Sequence, residues 1–157
     1  MNRSLHSSPR SPCSAGILSY LAGGRRFPID METKTHLILC VDDEVVGLRV
    51  RKILLERAGY QVLTAADGHS GIELFATQPV DAVVLDYAMP GMHGGDVAKK
   101  MRQTKPEVPI LLLSAYVGLP DEVSSLVNVY MTKGEGAPAL LDKLGNLLSL
   151  PAASHLR

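Results

Sequence analysis

Four short apolar runs, each leading to a residue with usable chemistry, constrain this chain more than any other feature. Leu37–Val41 ends at Asp42 and Asp43, Ala82–Leu85 at Asp86, Ile110–Leu113 at Ser114, and Leu126–Met131 stops just short of Lys133. Ala82–Leu85 is apolar throughout, as a strand covered on both faces should be. In an open parallel sheet, ligands sit outside the carboxyl ends of the strands. The pattern therefore gathers three carboxylates, a hydroxyl and an ammonium into one crevice. Three unpaired carboxylates repel and shift one another's pKa values. A divalent cation and the lysine relieve this. Carboxylate and carbonyl oxygens suit Mg²⁺, which keeps several waters and takes phosphate oxygens.

Helical patterns fill the intervals. The first helix is predicted from about Val45 to Ala58, with Val46, Val50, Ile53, Leu54 and Leu55 near helical spacing. Gly59 ends it, and a second strand, Gln61–Ala65, follows at once. A turn at Asp67-Gly68 leads into a helix over about Ser70–Thr77. Pro90, Gly91, Gly94 and Gly95 mark a loop, and a third helix covers about Asp96–Thr104, ended by Pro106 and Pro109. The fourth helix must be short, within Pro120–Leu126. The fifth strand is placed at about Val127–Met131, and the last helix begins near Pro138 and ends near Leu150. Five β/α units without a long hairpin predict an α/β fold with a doubly wound, five-stranded parallel sheet.

The chain has 157 residues, which fits one domain. Residues 1–30 carry Arg3, Arg10, Arg25 and Arg26 against Asp30, whereas 31–157 carry 12 basic and 15 acidic residues. The globular part is not a polyanion binder by charge. Cys13 and Cys40 make no disulfide framework, and Cys40 lies inside an apolar strand. No apolar run reaches the ~18 residues of a transmembrane helix. Residues 1–33, rich in Ser, Pro and Arg, are expected to form a disordered extension ahead of a domain over 34–150, with 151–157 as a tail. Met31 opens METKTHLILCVDDE and is the expected natural start.

Taken in order, these residues resemble the receiver domain of two-component response regulators. The similarity runs from about His36 to Leu148: the acidic pair after the first strand, Asp86 in DYAMPGMHG, Ser114-Ala115, then Tyr130 and Lys133. The resemblance implies a flavodoxin-like strand order 2-1-3-4-5. It implies Asp86 as phosphoacceptor, with Asp43, Asp86 and the backbone carbonyl of Ala88 holding Mg²⁺ directly and Asp42 acting through water. Ser114 and Lys133 would hold phosphoryl oxygens, and Tyr130 would be an aromatic switch. The implied partners are a histidine kinase or histidine phosphotransfer protein and an unknown downstream protein, with no nucleic acid and no membrane. A stand-alone, cytoplasmic module that turns over no external substrate is expected.

The chain departs from the family pattern in two places. Gly134 follows the lysine where receivers usually have proline, often through a cis bond. A non-proline cis bond costs ~2.5–4 kcal/mol, so a trans bond is expected, with Gly134 or Gly136 at positive φ. Only 15 residues separate Ser114 from Tyr130, which shortens the fourth helix. Ala88 has no side-chain group to steer water. The rival reading is a phosphorylation-independent interaction module on the same fold. A phosphatase with an aspartyl nucleophile needs a DxD motif, but Tyr87-Ala88 follows Asp86. Gly134-Glu135-Gly136 mimics a dinucleotide fingerprint without the strand that carries a ribose-binding acid. His93 reads as a solvated loop residue.

Overall fold

The computed structural model describes residues 34–149. The expected extension over 1–33 and tail over 151–157 lie outside the described residues. The elements are β1 (Leu37–Val41), α1 (Val45–Arg57), β2 (Gln61–Ala65), α2 (Gly68–Thr77), β3 (Ala82–Asp86), α3 (Gly94–Thr104), β4 (Ile110–Ser114), α4 (Asp121–Ser124), β5 (Val129–Thr132) and α5 (Gly136–Ser149), with a 3₁₀ turn at Lys133–Glu135. All neighbouring strands pair in parallel, in the order β2-β1-β3-β4-β5. No helix among the described residues is long and apolar enough to cross a membrane.

Alternation along the strands splits the core in two. Leu39, Val41, Val83, Leu85, Ile110 and Leu112 pack with Phe75 of α2 and Val97 and Met101 of α3. Ile38, Cys40, Val84, Leu111, Leu113 and Met131 pack with Leu48 and Leu55 of α1 and Leu140, Leu144 and Leu147 of α5. Each central strand is therefore apolar on both faces. The Cys40 thiol is fully buried, and desolvation pushes its pKa up to about 12, so it is inert packing.

The first helix corrects the sequence reading. Val46, Val50 and Ile53 form an apolar stripe at helical spacing, yet they face out, with Val46 71% exposed. The inner face is Leu48 and Leu55, and between them, at i+3 from Leu48, stands Arg51. An arginine on the buried side defeats apolar counting, because its placement follows from a charge across the interface. Strand β5 also starts later than expected, at Val129. The preceding Asn128 acts through its side chain, where Oδ1 accepts from the Ile110 N–H at 2.8 Å and from Arg102.

Arg102 secures this side of the domain from α3. Its guanidinium donates to the carbonyls of Leu126 (2.7 Å), Pro106 (2.9 Å) and Val108 (2.7 Å) as well as to Asn128. The short α4 is thereby fastened just beyond its C-terminal end.

Asp81 joins the starts of β1 and β3. Its N–H donates to the Leu37 carbonyl at 2.8 Å, and its Oδ2 accepts from the Leu37 N–H at 2.8 Å. Lys34 Nζ lies 2.6 Å from Oδ1. Partial burial pushes the Asp81 carboxyl up, but the Lys34 ammonium and the Leu37 N–H outweigh it and hold its pKa below the ordinary range. A lowered folded pKa contributes stability that is complete above the unfolded value and lost as pH falls through the folded one. Asp81→Ala is therefore expected to cost roughly 1.5 kcal/mol at pH 7, or about 5 °C in melting temperature. The gap to the parent closes in acid. Thermal melts between pH 7 and pH 2 measure it, and a pH-independent gap would show that the carboxylate charge has no part.

Candidate functional site

The strand alternation that splits the core also sets the site. Asp42 continues the series Ile38, Cys40, and Asp86 continues Ala82, Val84, so both carboxylates lean toward the α1/α5 side. Both are buried, at 1% and 2% exposure, while Asp43 is exposed. One oxygen from each of the three lies within 4.8 Å of the others. Lys133 Nζ sits 3.0 Å from Asp86 Oδ1 and 3.3 Å from Asp42 Oδ2. It reaches there from the turn after the edge strand β5, over the end of β4.

Desolvation raises the Asp86 pKa; the Lys133 ammonium opposes it, and the Asp42 and Asp43 charges add to the rise. Partial burial works against the Lys133 ammonium, but Asp86 and Asp42 outweigh it and raise its pKa. Each group thus favours the charged form of the other. Asp86 Oδ1 is buried and has the ion-pair distance to Lys133, but no aligned hydrogen bond. A buried acceptor with an open lone pair, beside two further carboxylates, is a hard-oxygen donor set that fits a small divalent cation such as Mg²⁺.

Ser114 is fully buried at the end of β4, and its Oγ accepts from the Tyr116 N–H at 3.0 Å. The half-buried Tyr130 donates its hydroxyl hydrogen bond to the Tyr116 carbonyl. Both candidate switch residues therefore hold the two sides of one loop residue. Ala88 is exposed in the loop after Asp86, and His93 is exposed at the start of α3, its ring 6.3 Å from that of Tyr87.

Backbone shape completes the site. The Lys133–Gly134 bond is trans, and Gly136 takes φ +83° with ψ 179°. The expected positive φ therefore falls at Gly136. The intervening turn is stitched by Glu135, whose Oε1 accepts from the Thr132 N–H at 2.8 Å and whose Oε2 pairs with Lys143 at 3.1 Å. The mimic of a dinucleotide fingerprint is a lysine-aiming turn. At the other side, α3 begins directly against the end of β3. A Cβ on Gly94 would lie 2.4 Å from the Asp86 carbonyl oxygen and 2.8 Å from Tyr87 Cα.

One residue of the site escaped sequence reasoning. The Arg51 guanidinium, from the inner face of α1, pairs closely with Asp42 Oδ2. The available signal was the spacing Leu48–Arg51–Leu55 with glycine at 47, which opens the helix surface beside it.

Comparison with known proteins agrees with this geometry. The family model described as the response regulator receiver domain matches residues 38–144. The alkaline phosphatase synthesis transcriptional regulatory protein PhoP of Bacillus subtilis is 40% identical over 99 residues, covering 61% of this chain and 41% of that protein. The chain spans less than half the length of such curated regulators. The response regulator TrrA of Thermotoga maritima, solved in complex with Mg²⁺-BeF, is 33% identical with a TM-score of 0.69, covering 72% of this chain and 99% of that one. A chain from the structure of histidine kinase ThkA in complex with TrrA is 34% identical with a TM-score of 0.68, covering 73% and 100%.

Three outcomes follow for the backbone. Gly94→Ala is expected to cost roughly 1–3 kcal/mol, since backbone must shift to admit the methyl; urea unfolding measures it. Gly134→Ala, with nothing near its Cβ, should be neutral within about 0.5 kcal/mol. Gly136→Ala should cost roughly 1–3 kcal/mol, because its conformation is essentially restricted to glycine. Equal costs at 134 and 136 would contradict the assignment of the turn.

Proposed function

The chain belongs to the response regulator receiver family, and on that premise we propose that it accepts a phosphoryl group onto Asp86 from a histidine kinase or histidine phosphotransfer protein. The carrying observation is Asp86 itself: a buried carboxylate 3.0 Å from a lysine ammonium and inside a three-carboxylate cluster. Receiver domains are signalling modules, and that a related response regulator was solved with a histidine kinase supports the choice of donor.

In this reading an Asp86 oxygen attacks the phosphorus of a phosphohistidine. The phosphorus–nitrogen bond breaks, imidazole leaves, and an aspartyl phosphate remains. Such transfers depend on in-line placement and on neutralising the equatorial oxygens. Lys133, already at Asp86, supplies one fixed positive charge, and the Ser114 hydroxyl supplies a hydrogen bond. Asp43, Asp86 and the Ala88 carbonyl would hold Mg²⁺, with Asp42 acting through water. When bound, the ion adds charge neutralisation on the phosphoryl oxygens.

Output follows from the loop after β4. Ser114 Oγ holds the Tyr116 N–H, and Tyr130 holds the Tyr116 carbonyl. A phosphoryl group that draws the Ser114 hydroxyl inward pulls on the residue that positions Tyr130, so one added group of nearly two negative charges biases both. The signal is then read as an altered protein-binding surface near α4, β5 and α5.

The test is intact-mass measurement after treatment with phosphoramidate, with and without Mg²⁺. The parent is expected to gain one phosphate in a Mg²⁺-dependent manner, and Asp86→Asn to gain none. Asp43→Asn should retain the fold and need much more Mg²⁺. A full one-phosphate gain in the Asp86 variant would overturn the assignment of the acceptor.

A further inference from the structure

We propose that Arg51 is a resident cation that holds Asp42 in the metal-free site and thereby sets how tightly the carboxylate cluster binds a divalent metal. This rests on the metal site read above, and adds a residue from α1 to it. Three observations carry it. The Arg51 guanidinium pairs closely with Asp42 Oδ2, and its side chain is only 14% exposed. It stands between Leu48 and Leu55, on the side of α1 that faces the sheet, while the opposite side carries exposed valines. And position 47, one turn earlier, is glycine: a Cβ there would lie 3.3 Å from Arg51 Nη2 and 3.4 Å from Nη1. The helix surface is cut back where the guanidinium lies.

Asp42 is consequently well compensated. Its Oδ1 accepts from the Glu44 N–H at 2.8 Å, and its Oδ2 faces both Arg51 and Lys133. A water on a metal ion therefore meets a carboxylate whose Oδ2 is already engaged by two cations. Lys133 is shared with Asp86, but Arg51 has no carboxylate partner other than Asp42 within ion-pair distance among the described residues. With both cations seated, the three carboxylates keep one net negative charge. With Arg51 withdrawn they keep two, and attraction for a dication rises accordingly. Arg51 thus keeps the buried carboxylate compensated before metal arrives, and weakens the metal's hold when it does.

The experiment titrates Mg²⁺ into the EDTA-stripped full chain by calorimetry, with melting temperature as a second readout. Arg51→Met is expected to bind Mg²⁺ roughly tenfold tighter than the parent. It should melt several degrees lower in EDTA, with a larger rise on adding saturating Mg²⁺. Arg51→Gln, which still donates a hydrogen bond, serves if the methionine variant does not fold, and should bind several-fold tighter. Lys52→Met removes the neighbouring charge on the same helix without touching Asp42, and should change the affinity less than about twofold. Saturable binding of equal strength in the parent and the Arg51 variants overturns the proposal and leaves the metal site standing. So does an equal gain in Lys52→Met, which would assign the effect to general charge. Absence of Mg²⁺ binding in every variant overturns the proposal and the metal site together.

Discussion

Two like charges buried side by side at the end of a parallel sheet are the condition around which this domain is arranged. Asp42 and Asp86 sit on neighbouring strands, on the same side of the sheet, nearly out of contact with water. A buried anion without compensation costs several kcal/mol, a large part of the ~5–15 kcal/mol that holds a domain together. Compensation comes from two directions. Lys133 is brought over β4 by a glycine-dependent turn after β5, and Arg51 is brought in from α1. Each demand propagates outward: the first fixes the shape of the β5–α5 junction, and the second places a charge on the inner face of a helix.

Much of this was readable from the sequence, for a definite physical reason. Strands buried on both faces must be apolar at every position, so β1, β3 and β4 stand out as runs, and the residues that end them fall at one edge of the sheet. The acids, Ser114 and Lys133 were found that way. What was hidden depends on tertiary partners. The stripe Val46–Val50–Ile53 imitates a buried face, whereas the true one contains an arginine whose place is explained only by Asp42. The start of β5 was hidden because Asn128 bonds through its side chain to Ile110 and Arg102, residues 18 and 26 positions away in the chain. The need for glycine at 94 was invisible too, since it arises from the Asp86 carbonyl lying against the start of α3.

The domain contains elements of unequal permanence. Strand pairings and the two apolar clusters are buried and continuous. The loop from Ala115 to Pro120 is mostly exposed, with Val117 92% exposed, and is tied to the sheet through Tyr116. Segments with few buried apolar contacts open at lower free energy than the core. The part of the molecule adjoining Ser114 is thus the part that can respond without disturbing the rest.

Arg102 would limit how far the proposed response travels. Its guanidinium grips Leu126 and Asn128 on one side and Pro106 and Val108 on the other. The stretch between Ser114 and that grip is a cantilever with its far end bolted to α3. A helix of four residues on such a beam has no room to swivel as a rigid rod. On the function proposed above, the change of relief would be largest close to the strand end, at Tyr116 and Val117, where the loop leads into α4 and touches Tyr130 of β5.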